Sequence, residues 1–178
     1  MGKGTSSTCK KSRTKLGRKP EPTYAIIDSR SVKTAHAAQF SGFDGGKKIK
    51  GRKHHITTDT NGHLLHIKVH AANIHDTIAG GRVITETKTK YPTIKGVAGD
   101  AGFRGTFKKT AETLGLTVEI IQRIADAGWQ VIPRRWCVER TFGWMGGSRR
   151  LSKDYEFLTT SAENMIMISH ASMLLRRG

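Results

Sequence analysis

A β-hairpin signal between His54 and His70 is the feature that most restricts how this chain can fold. Two β-rich runs, 54–58 and 64–69, flank the turn residues Asn61 and Gly62. The Asn-Gly pair is a strong signal for a tight turn, because both residues tolerate a positive φ. The sequence therefore predicts an antiparallel pair of strands within a sheet.

Helical and strand patterns alternate after the hairpin. We predict helices over Asp76–Lys88 and Phe107–Leu114, and strands over Lys95–Asp100 and Thr117–Gln122. Because an earlier strand precedes the hairpin, this order predicts an α/β fold with a mixed sheet, an antiparallel hairpin and flanking helices.

The last helix is predicted to begin at Ser161, a favourable N-cap residue. Its periodicity places Met165, Ile168, Met173 and Leu174 toward the core.

The charge of the chain indicates a polyanionic partner. The 178 residues include 31 basic and 14 acidic side chains, a formal net charge of +17. The positive charge is spread along the whole chain, which favours nucleic acid over a membrane surface. Composition alone would also suit a basic RNA-binding protein of ribosomal type. Cys9 and Cys137 give neither a disulfide framework nor a zinc spacing, and are interpreted as free thiols in a reducing cytoplasm.

Residues 1–20 contain seven basic and no acidic residues. This composition predicts a disordered basic arm. DNA contact and a solvated tail remain equally open for it. The predicted organisation is a flexible arm over residues 1–21 and one domain over residues 22–178.

Three acidic residues suggest a metal site in this basic chain. Asp28 and Asp100 each end an apolar run, at 24–27 and 96–99, and Glu139 lies in a helical stretch at 134–142. Side chains at the ends of adjacent strands converge, and a helix crossing the sheet can add a third ligand. Three carboxylates can bind two Mg²⁺ ions, which prefer oxygen ligands. Strand-end turns or caps are the alternative for both aspartates.

The helix around Glu139 carries further polar and aromatic residues. Arg135 shares a face with Glu139, and can pair with it or bind a phosphate. A stripe of Trp136, Arg140 and Trp144 fits the edge of a core or a base-stacking surface. Val138, Phe142 and Met145 are predicted core residues.

The densest basic run lies between residues 47 and 55 and fits contact with the DNA backbone, with a solvated charge run as the alternative. No Walker pattern is present, so the sequence does not imply ATP. The histidines at 63, 66, 70 and 75 lack a second pair at ligand spacing, which argues against a zinc site. Asp44, Asp59 and Asp76 are spare carboxylates, of which Asp59 best fits the hairpin turn.

These motifs resemble the DDE transposases of bacterial insertion sequences. The segment 26–34 (IIDSRSVKT) resembles the first catalytic block, and 42–54 (GFDGGKKIKGRKH) the segment that follows it. The segment 99–105 (GDAGFRG) resembles the second block. The segments 135–142 (RWCVERTF) and 149–156 (RRLSKDYE) resemble the third. The resemblance covers residues 22 to about 160 in the right order, and the most similar group is insertion sequence family five.

The resemblance implies an RNase-H-like fold and a metal-dependent DNA transposase that cuts element ends and joins the 3′ hydroxyls to target DNA. Asp28, Asp100 and Glu139 would be the catalytic metal ligands for two Mg²⁺ ions, which Mn²⁺ can replace. Arg135 matches the arginine of the family's Tyr-Arg-Glu-Lys signature.

The implied partner is double-stranded DNA from the element ends and the target, bound by a homodimer in the bacterial cytoplasm, associated with the nucleoid. The candidate DNA-binding residues are Lys33, Lys47, Lys48, Lys50, Arg52, Lys53, Arg104, Arg140, Arg149, Arg150 and Lys153.

The chain departs from the family pattern at two signature positions. Ile132 stands in place of the tyrosine and Gly146 in place of the lysine. Arg149, Arg150 or Lys153 would have to supply the missing cation. The family's N-terminal helical DNA-binding region is also replaced by the short arm. The alternative function is therefore a non-catalytic DNA-binding remnant, or a second-frame half that needs a partner polypeptide from a preceding frame.

Overall fold

The computed structural model describes residues 3–121 and 133–177, with side chains described over 7–121 and 136–176. The strands are β1 (Tyr24–Lys33), β2 (Gly42–Asp44), β3 (Ile49–Thr58), β4 (Leu64–Ala71), β5 (Gly96–Asp100) and β6 (Thr117–Ile121). The helices are α1 (Lys3–Lys15), α2 (Asp76–Lys90), α3 (Thr106–Thr113), α4 (Pro133–Gly146) and α5 (Thr159–Arg177).

The strands form one mixed sheet. Its order is β2-β3-β1-β5-β6, with β4 paired to β3. The pairs of β3 with β1, β2 and β4 are antiparallel, whereas β5 runs parallel to both β1 and β6. The predicted hairpin and mixed sheet are confirmed, and a crossover through α2 supplies the parallel connection that a short turn cannot make.

Helices cover both faces of this sheet. On one face, α2 and α3 pack against Ala25 and Ile27 of β1. On the other face, α4 and α5 pack against Ile26 of the same strand. Because successive residues of a strand point to opposite faces, the run 25–27 is buried throughout and the sheet has two cores.

The hairpin turn is built by Asp59 and Gly62. The Asp59 carboxylate accepts hydrogen bonds from the backbone N–H groups of Asn61 and His63, at 2.8 and 2.9 Å. Of the two turn residues, only Gly62 has a positive φ, at +85°. The assignment of Asp59 to the turn is therefore confirmed.

The N-terminal segment contains a docked helix where the sequence predicted a disordered arm. Cys9 and Arg13 of α1 are buried, and Arg13 pairs with the buried Asp59. Ser12 Oγ lies 2.9 Å from Nε2 of His63. The prediction is wrong over α1 because polar groups of the hairpin turn bind this helix, a long-range pairing that composition does not reveal. The boundary between arm and domain stays a prediction.

The buried face of α5 also differs from the prediction. The helix begins at Thr159, two residues before the predicted cap. The residues buried at four-residue spacing are Ala162, Ile166, His170 and Leu174. Ile168 lies on the opposite side of the helix from this stripe and is 60% exposed. The stripe includes a fully buried polar residue, His170, which accepts a hydrogen bond from the Leu64 N–H at 3.1 Å.

Candidate active site

Asp28 and Asp100 lie at the same level of two neighbouring parallel strands. The paired register of β1 and β5 ends at Ile26 and Ala98, so each aspartate lies two residues beyond the last paired residue of its strand. Both are half-buried. By strand alternation, Asp28 points to the same face as Ile26, which is the face covered by α4 and α5.

Glu139 lies on the helix that crosses this part of the sheet. The preceding residue, Val138, is buried in the same cluster as Ile26. The Glu139 side chain is exposed. Helix α4 contacts both β1 and β5. The packing of Val138 therefore places α4 against the two strands that carry the aspartates.

The three acids have the donor chemistry of a hard-cation site. Asp28 Oδ1 accepts the Ser29 N–H at 2.7 Å, and Asp100 Oδ1 accepts the Gly102 N–H at 2.8 Å. These bonds fix each carboxylate while leaving it other lone pairs, since an ionised carboxylate offers about four. Within the described residues, however, no three acidic, histidine or cysteine side chains are close enough to hold one metal ion. The three carboxylates have the right chemistry for a divalent cation. At least one of these side chains must move before all three can bind the same ion.

A fourth acid, Asp76 at the start of α2, supports the site from the opposite face of the sheet. Its Oδ1 accepts the Ser29 hydroxyl at 2.9 Å and pairs with Lys53 Nζ at 2.9 Å. A Cβ placed on Gly102 would lie 3.0 Å from Asp100 Oδ1 and 3.5 Å from Asp76 Oδ2. Asp76 therefore contacts the residue after Asp28 and lies beside the 101–103 turn that the Asp100 side chain caps.

The electrostatics of this network keep Asp76 charged. Burial would raise the pKa of Asp76, but Lys53, the His55 ring and the Ser29 hydroxyl outweigh it and lower that pKa. His55 is fully buried and shares a hydrogen bond of 2.8 Å with His70. Burial, followed by the nearby His70, lowers the pKa of His55 to about 3. At neutral pH the network thus contains an anionic Asp76, paired with Lys53, and a neutral His55.

Two predicted DNA-binding residues are buried instead. Arg52 is fully buried and pairs with Asp154 at 3.1 Å. Lys53 is 5% exposed and pairs with Asp76. The structure does not support these two assignments, because the Gln39 and Glu156 carbonyls enclose Arg52. Lys53 is enclosed by the Ile74 carbonyl and by Asp76 at the start of α2. The part of the basic run 47–55 that is buried in β3, residues 51–55, therefore does not face solvent.

The remaining predicted DNA-binding residues lie wholly or partly at the surface. Arg140 is half-buried, stacks on the Trp144 ring at 4.6 Å and donates to the Asn61 carbonyl at 3.1 Å. Trp136 is 45% exposed. The stripe of Trp136, Arg140 and Trp144 therefore lies at the edge of the core, with the Trp136 ring partly accessible to solvent. The exposed cations are Lys33, Lys47, Lys48, Lys50, Arg104, Arg149, Arg150 and Lys153.

Arg30 is a candidate site residue that the sequence reasoning missed. It follows Asp28 by two positions on β1, so strand alternation places both side chains on one face. Arg30 is exposed, and its Nη1 lies 3.6 Å from where a Cβ would stand on Gly146 at the end of α4. The spacing of two residues between Asp28 and Arg30 in a predicted strand is the sequence signal that could have identified it. The guanidinium thus lies beside the glycine that replaces the signature lysine.

Two other signature positions lie partly or wholly outside the described residues. Ile132 falls in the gap between β6 and α4. The backbone of Arg135 belongs to α4, but its side chain is outside the described part of the chain.

The fold is similar to that of an integrase catalytic core and of a chain in a viral intasome. BIV integrase catalytic core domain superposes with a TM-score of 0.53 at 13% identity, covering 88% of this chain and 86% of that chain. A chain of the simian T-cell lymphotropic virus intasome gives a TM-score of 0.52 at 10% identity, covering 84% of this chain. The present chain spans 48% of that second protein. These likenesses show an RNase-H-like fold and confirm the predicted fold class.

A family assignment follows from the sequence itself. The model of the transposase DDE domain matches residues 19–174, and the chain belongs to that family. A comparison with curated proteins gives no match. The chain is therefore a DNA transposase domain, and its class of chemistry is phosphoryl transfer on DNA.

No helix in the described ranges, 3–121 and 133–177, is both long and apolar enough to cross a membrane.

Proposed function

We propose that this chain cleaves double-stranded DNA at the ends of an insertion sequence and joins the resulting 3′ hydroxyls to target DNA. The observation that supports the proposal is the common level of Asp28 and Asp100 on two parallel strands, beneath the helix that carries Glu139. Aspartates on neighbouring strand ends with an acid from a crossing helix suit a two-cation phosphoryl-transfer site.

Asp28, Asp100 and Glu139 would hold two Mg²⁺ ions, and Mn²⁺ can take their place. When bound, the cations lower the pKa of an attacking water or sugar hydroxyl and stabilise the leaving 3′ oxygen. The two aspartates are held by the Ser29 and Gly102 backbone N–H groups. The Glu139 side chain is exposed, and we infer that its rotation toward the two aspartates closes the ligand set.

Arg30 would position the scissile phosphate. Its exposed guanidinium lies on the Asp28 face and can bind a phosphate through two parallel hydrogen bonds. We assign to Arg30 the charge that Gly146 does not provide. Arg135 is proposed as a further phosphate contact from α4.

The remaining exposed cations would bind the flanking DNA backbone. Each phosphate neutralised by lysine or arginine releases counterions, so binding should weaken steeply with salt. Two DNA ends must be held together for transposition, which favours a homodimer on DNA. A separate polypeptide that supplies end recognition is compatible with the same site.

The experiment is metal-dependent nicking of supercoiled plasmid by the purified protein. Wild type is compared with Asp28→Asn, Glu139→Gln and a matched control, Glu112→Gln, an exposed glutamate on α3. We expect nicking with Mg²⁺ or Mn²⁺ that is lost in the two site variants and retained in the control. Calorimetric titration with Mn²⁺ should show binding that Asp28→Asn and Asp100→Asn weaken at least tenfold.

Two results would contradict the proposal. Equal nicking by Asp28→Asn and wild type would place the chemistry elsewhere. Salt-sensitive DNA binding by wild type without any nicking would instead indicate a non-catalytic DNA-binding protein.

A further inference from the structure

A row of exposed aromatic rings lies at one end of the sheet, away from the three acids. Phe40 is 64% exposed, Phe43 56%, Tyr155 41% and Phe157 63%. Leu158 beside them is 44% exposed. We call these five residues the aromatic surface. Large apolar side chains gathered on a surface mark an interaction site more often than isolated ones do.

A buried arginine holds the two segments of this surface together. Arg52 donates to the Gln39 carbonyl at 2.9 and 2.6 Å and to the Glu156 carbonyl at 2.8 Å. It also donates to the Phe157 carbonyl. The Gln39 N–H in turn donates to Phe157 at 2.9 Å. The backbones beside Phe40 and Phe157 are therefore fixed next to each other, and the rings are presented by an ordered framework.

The charges around the aromatic surface are positive. Asp154 is buried and paired with Arg52 at 3.1 Å, and Glu156 is paired with Arg150 at 2.8 Å. Lys33 and Lys153 flank Asp154 in the structure and are exposed. Asp154 and Glu156 are thus each paired with an arginine while the two lysines face solvent. This suits phosphates and disfavours contact with a second copy of this +17 chain.

We propose that the aromatic surface binds unpaired nucleotides of the DNA strand that leaves the active site. Rings can stack only on bases that are not already stacked within a duplex, and lysines alongside take the phosphates. Val32, the partner of Arg52 across the β1–β3 ladder, lies four residues beyond Asp28. At about 3.3 Å per residue this is roughly 13 Å, the length of about four base-pair steps.

This inference rests on the proposed function for the presence of DNA, but its test needs no catalysis. Binding of a fluorescently labelled single-stranded 12-mer of thymidine and of a 12-base-pair duplex is measured by anisotropy at fixed salt without metal. The variants are Phe157→Ala, Phe43→Ala and Phe157→Trp. The control is Leu175→Ala, which removes a side chain that is 73% exposed on α5.

We expect Phe157→Ala and Phe43→Ala each to weaken single-strand binding about tenfold, since a base–aromatic stack is worth that much or more. Duplex binding should change less than about twofold. Phe157→Trp should retain single-strand affinity, and Leu175→Ala should change neither. Melting temperatures equal to wild type confirm that the variants fold, as expected for exposed side chains.

Unchanged single-strand affinity in both alanine variants, or equal losses on both DNA forms, would overturn the inference. So would a wild-type dimer in sedimentation velocity that Phe157→Ala dissociates without affecting DNA binding, because the surface would then join two copies. The catalytic proposal fails separately. If the protein does not nick plasmid but its single-strand binding depends on the aromatic rings, this inference still holds. If it nicks plasmid but its single-strand binding does not depend on the rings, only the catalytic proposal holds.

Discussion

Arg52 and Asp154 form a buried ion pair that joins strand β3 to the segment after α4. Their Nη1 and Oδ2 atoms are 3.1 Å apart, and the two side chains are 0% and 1% exposed. Burial would raise the pKa of Asp154, but the His54 ring, the Glu156 N–H and Arg52 outweigh it and lower that pKa. The pair therefore stays charged at neutral pH and fixes the segment that carries Tyr155 and Phe157.

Breaking this pair should be costly. We expect Asp154→Asn to reduce the free energy of unfolding by about 3–5 kcal/mol, because it leaves the Arg52 charge buried without a counter-charge. The control is Glu156→Gln, which breaks the pair with Arg150, an arginine whose side chain is 58% exposed. That change should cost about 1 kcal/mol or less. Urea denaturation measures both, and similar costs would show that the buried pair is not the tether described here.

A pair of glycine substitutions tests how the hairpin turn locates α4. Gly62 and Gly115 have φ of +85° and +72°, so alanine is strained at both. A Cβ on Gly62 would also lie 2.8 Å from Thr141 Oγ1, whereas nothing lies within 4 Å at Gly115. We expect Gly115→Ala to cost about 1 kcal/mol and Gly62→Ala roughly 2–4 kcal/mol. Thermal denaturation gives the comparison. Equal losses of stability in the two variants would mean that α4 shifts at this contact without a measurable cost.

Stability should fall as the pH drops from about 6.5 toward 4, partly through His170. Burial, followed by the electrostatic effect of the nearby His63, lowers the pKa of His170 to about 4 from its ordinary 6.5. The unfolded chain therefore takes up a proton in this window that the folded chain refuses. At pH 5 this contributes a loss of about 2 kcal/mol relative to pH 8. The loss is absent above pH 6.5 and complete below about pH 4.

The variant His170→Gln isolates this contribution, because glutamine can accept the Leu64 N–H bond but does not titrate. Its unfolding free energy, measured by urea denaturation from pH 8 to 4.5, should decline less steeply than that of wild type. Parallel curves would remove His170 as a source of the pH dependence.

The Asp76 network should affect both stability and cleavage. Asp76→Asn leaves the buried Lys53 with a weaker partner and should cost about 2 kcal/mol, less than a fully buried pair because the Asp76 side chain is 24% exposed. We also expect slower plasmid nicking, since the Ser29 hydroxyl, beside Asp28, loses its charged acceptor. The control is Glu86→Gln, at an exposed glutamate bonded to His66. Nicking at the wild-type rate by a folded Asp76→Asn protein would contradict a supporting role.

Arg30 should contribute to DNA affinity as a phosphate contact. We expect Arg30→Gln to weaken duplex binding and to reduce the slope of log affinity against log salt by about 1. The matched control is Arg82→Gln, at an exposed arginine on α2, in the opposite layer. Anisotropy titrations over a series of salt concentrations measure both. An unchanged slope for Arg30→Gln would exclude a direct phosphate contact.

Much of the fold could be predicted because its signals are local. The Asn61-Gly62 turn, the β-branched run at Thr117–Ile121 and the helix terminated near Gly115 each depend on neighbouring residues alone. The predicted α2, β5, α3 and β6 therefore agree with the structure to within two residues at each end. The family assignment also follows from sequence order, and the family model confirms it.

The candidate site was predictable only in part. The three acids could be selected because Asp28 and Asp100 end apolar runs and Glu139 lies in a helical pattern, and their catalytic role stays a prediction. The burial of Arg52 and Lys53 could not be foreseen, since their counter-charges come from Asp154 and Asp76, distant along the chain.

The sequence by itself determined the class of fold, the alternation of elements and the acids at the strand ends, because these depend on periodicity and on residues close in the chain. Only the tertiary structure decided which charges face solvent, where α1 docks and which face of α5 is buried. Those outcomes depend on contacts such as Arg13 with Asp59 and His170 with Leu64, which are 46 and 106 residues apart in sequence. Such pairs form only when the packed sheet and helices make an ion pair or a buried hydrogen bond more favourable than solvation.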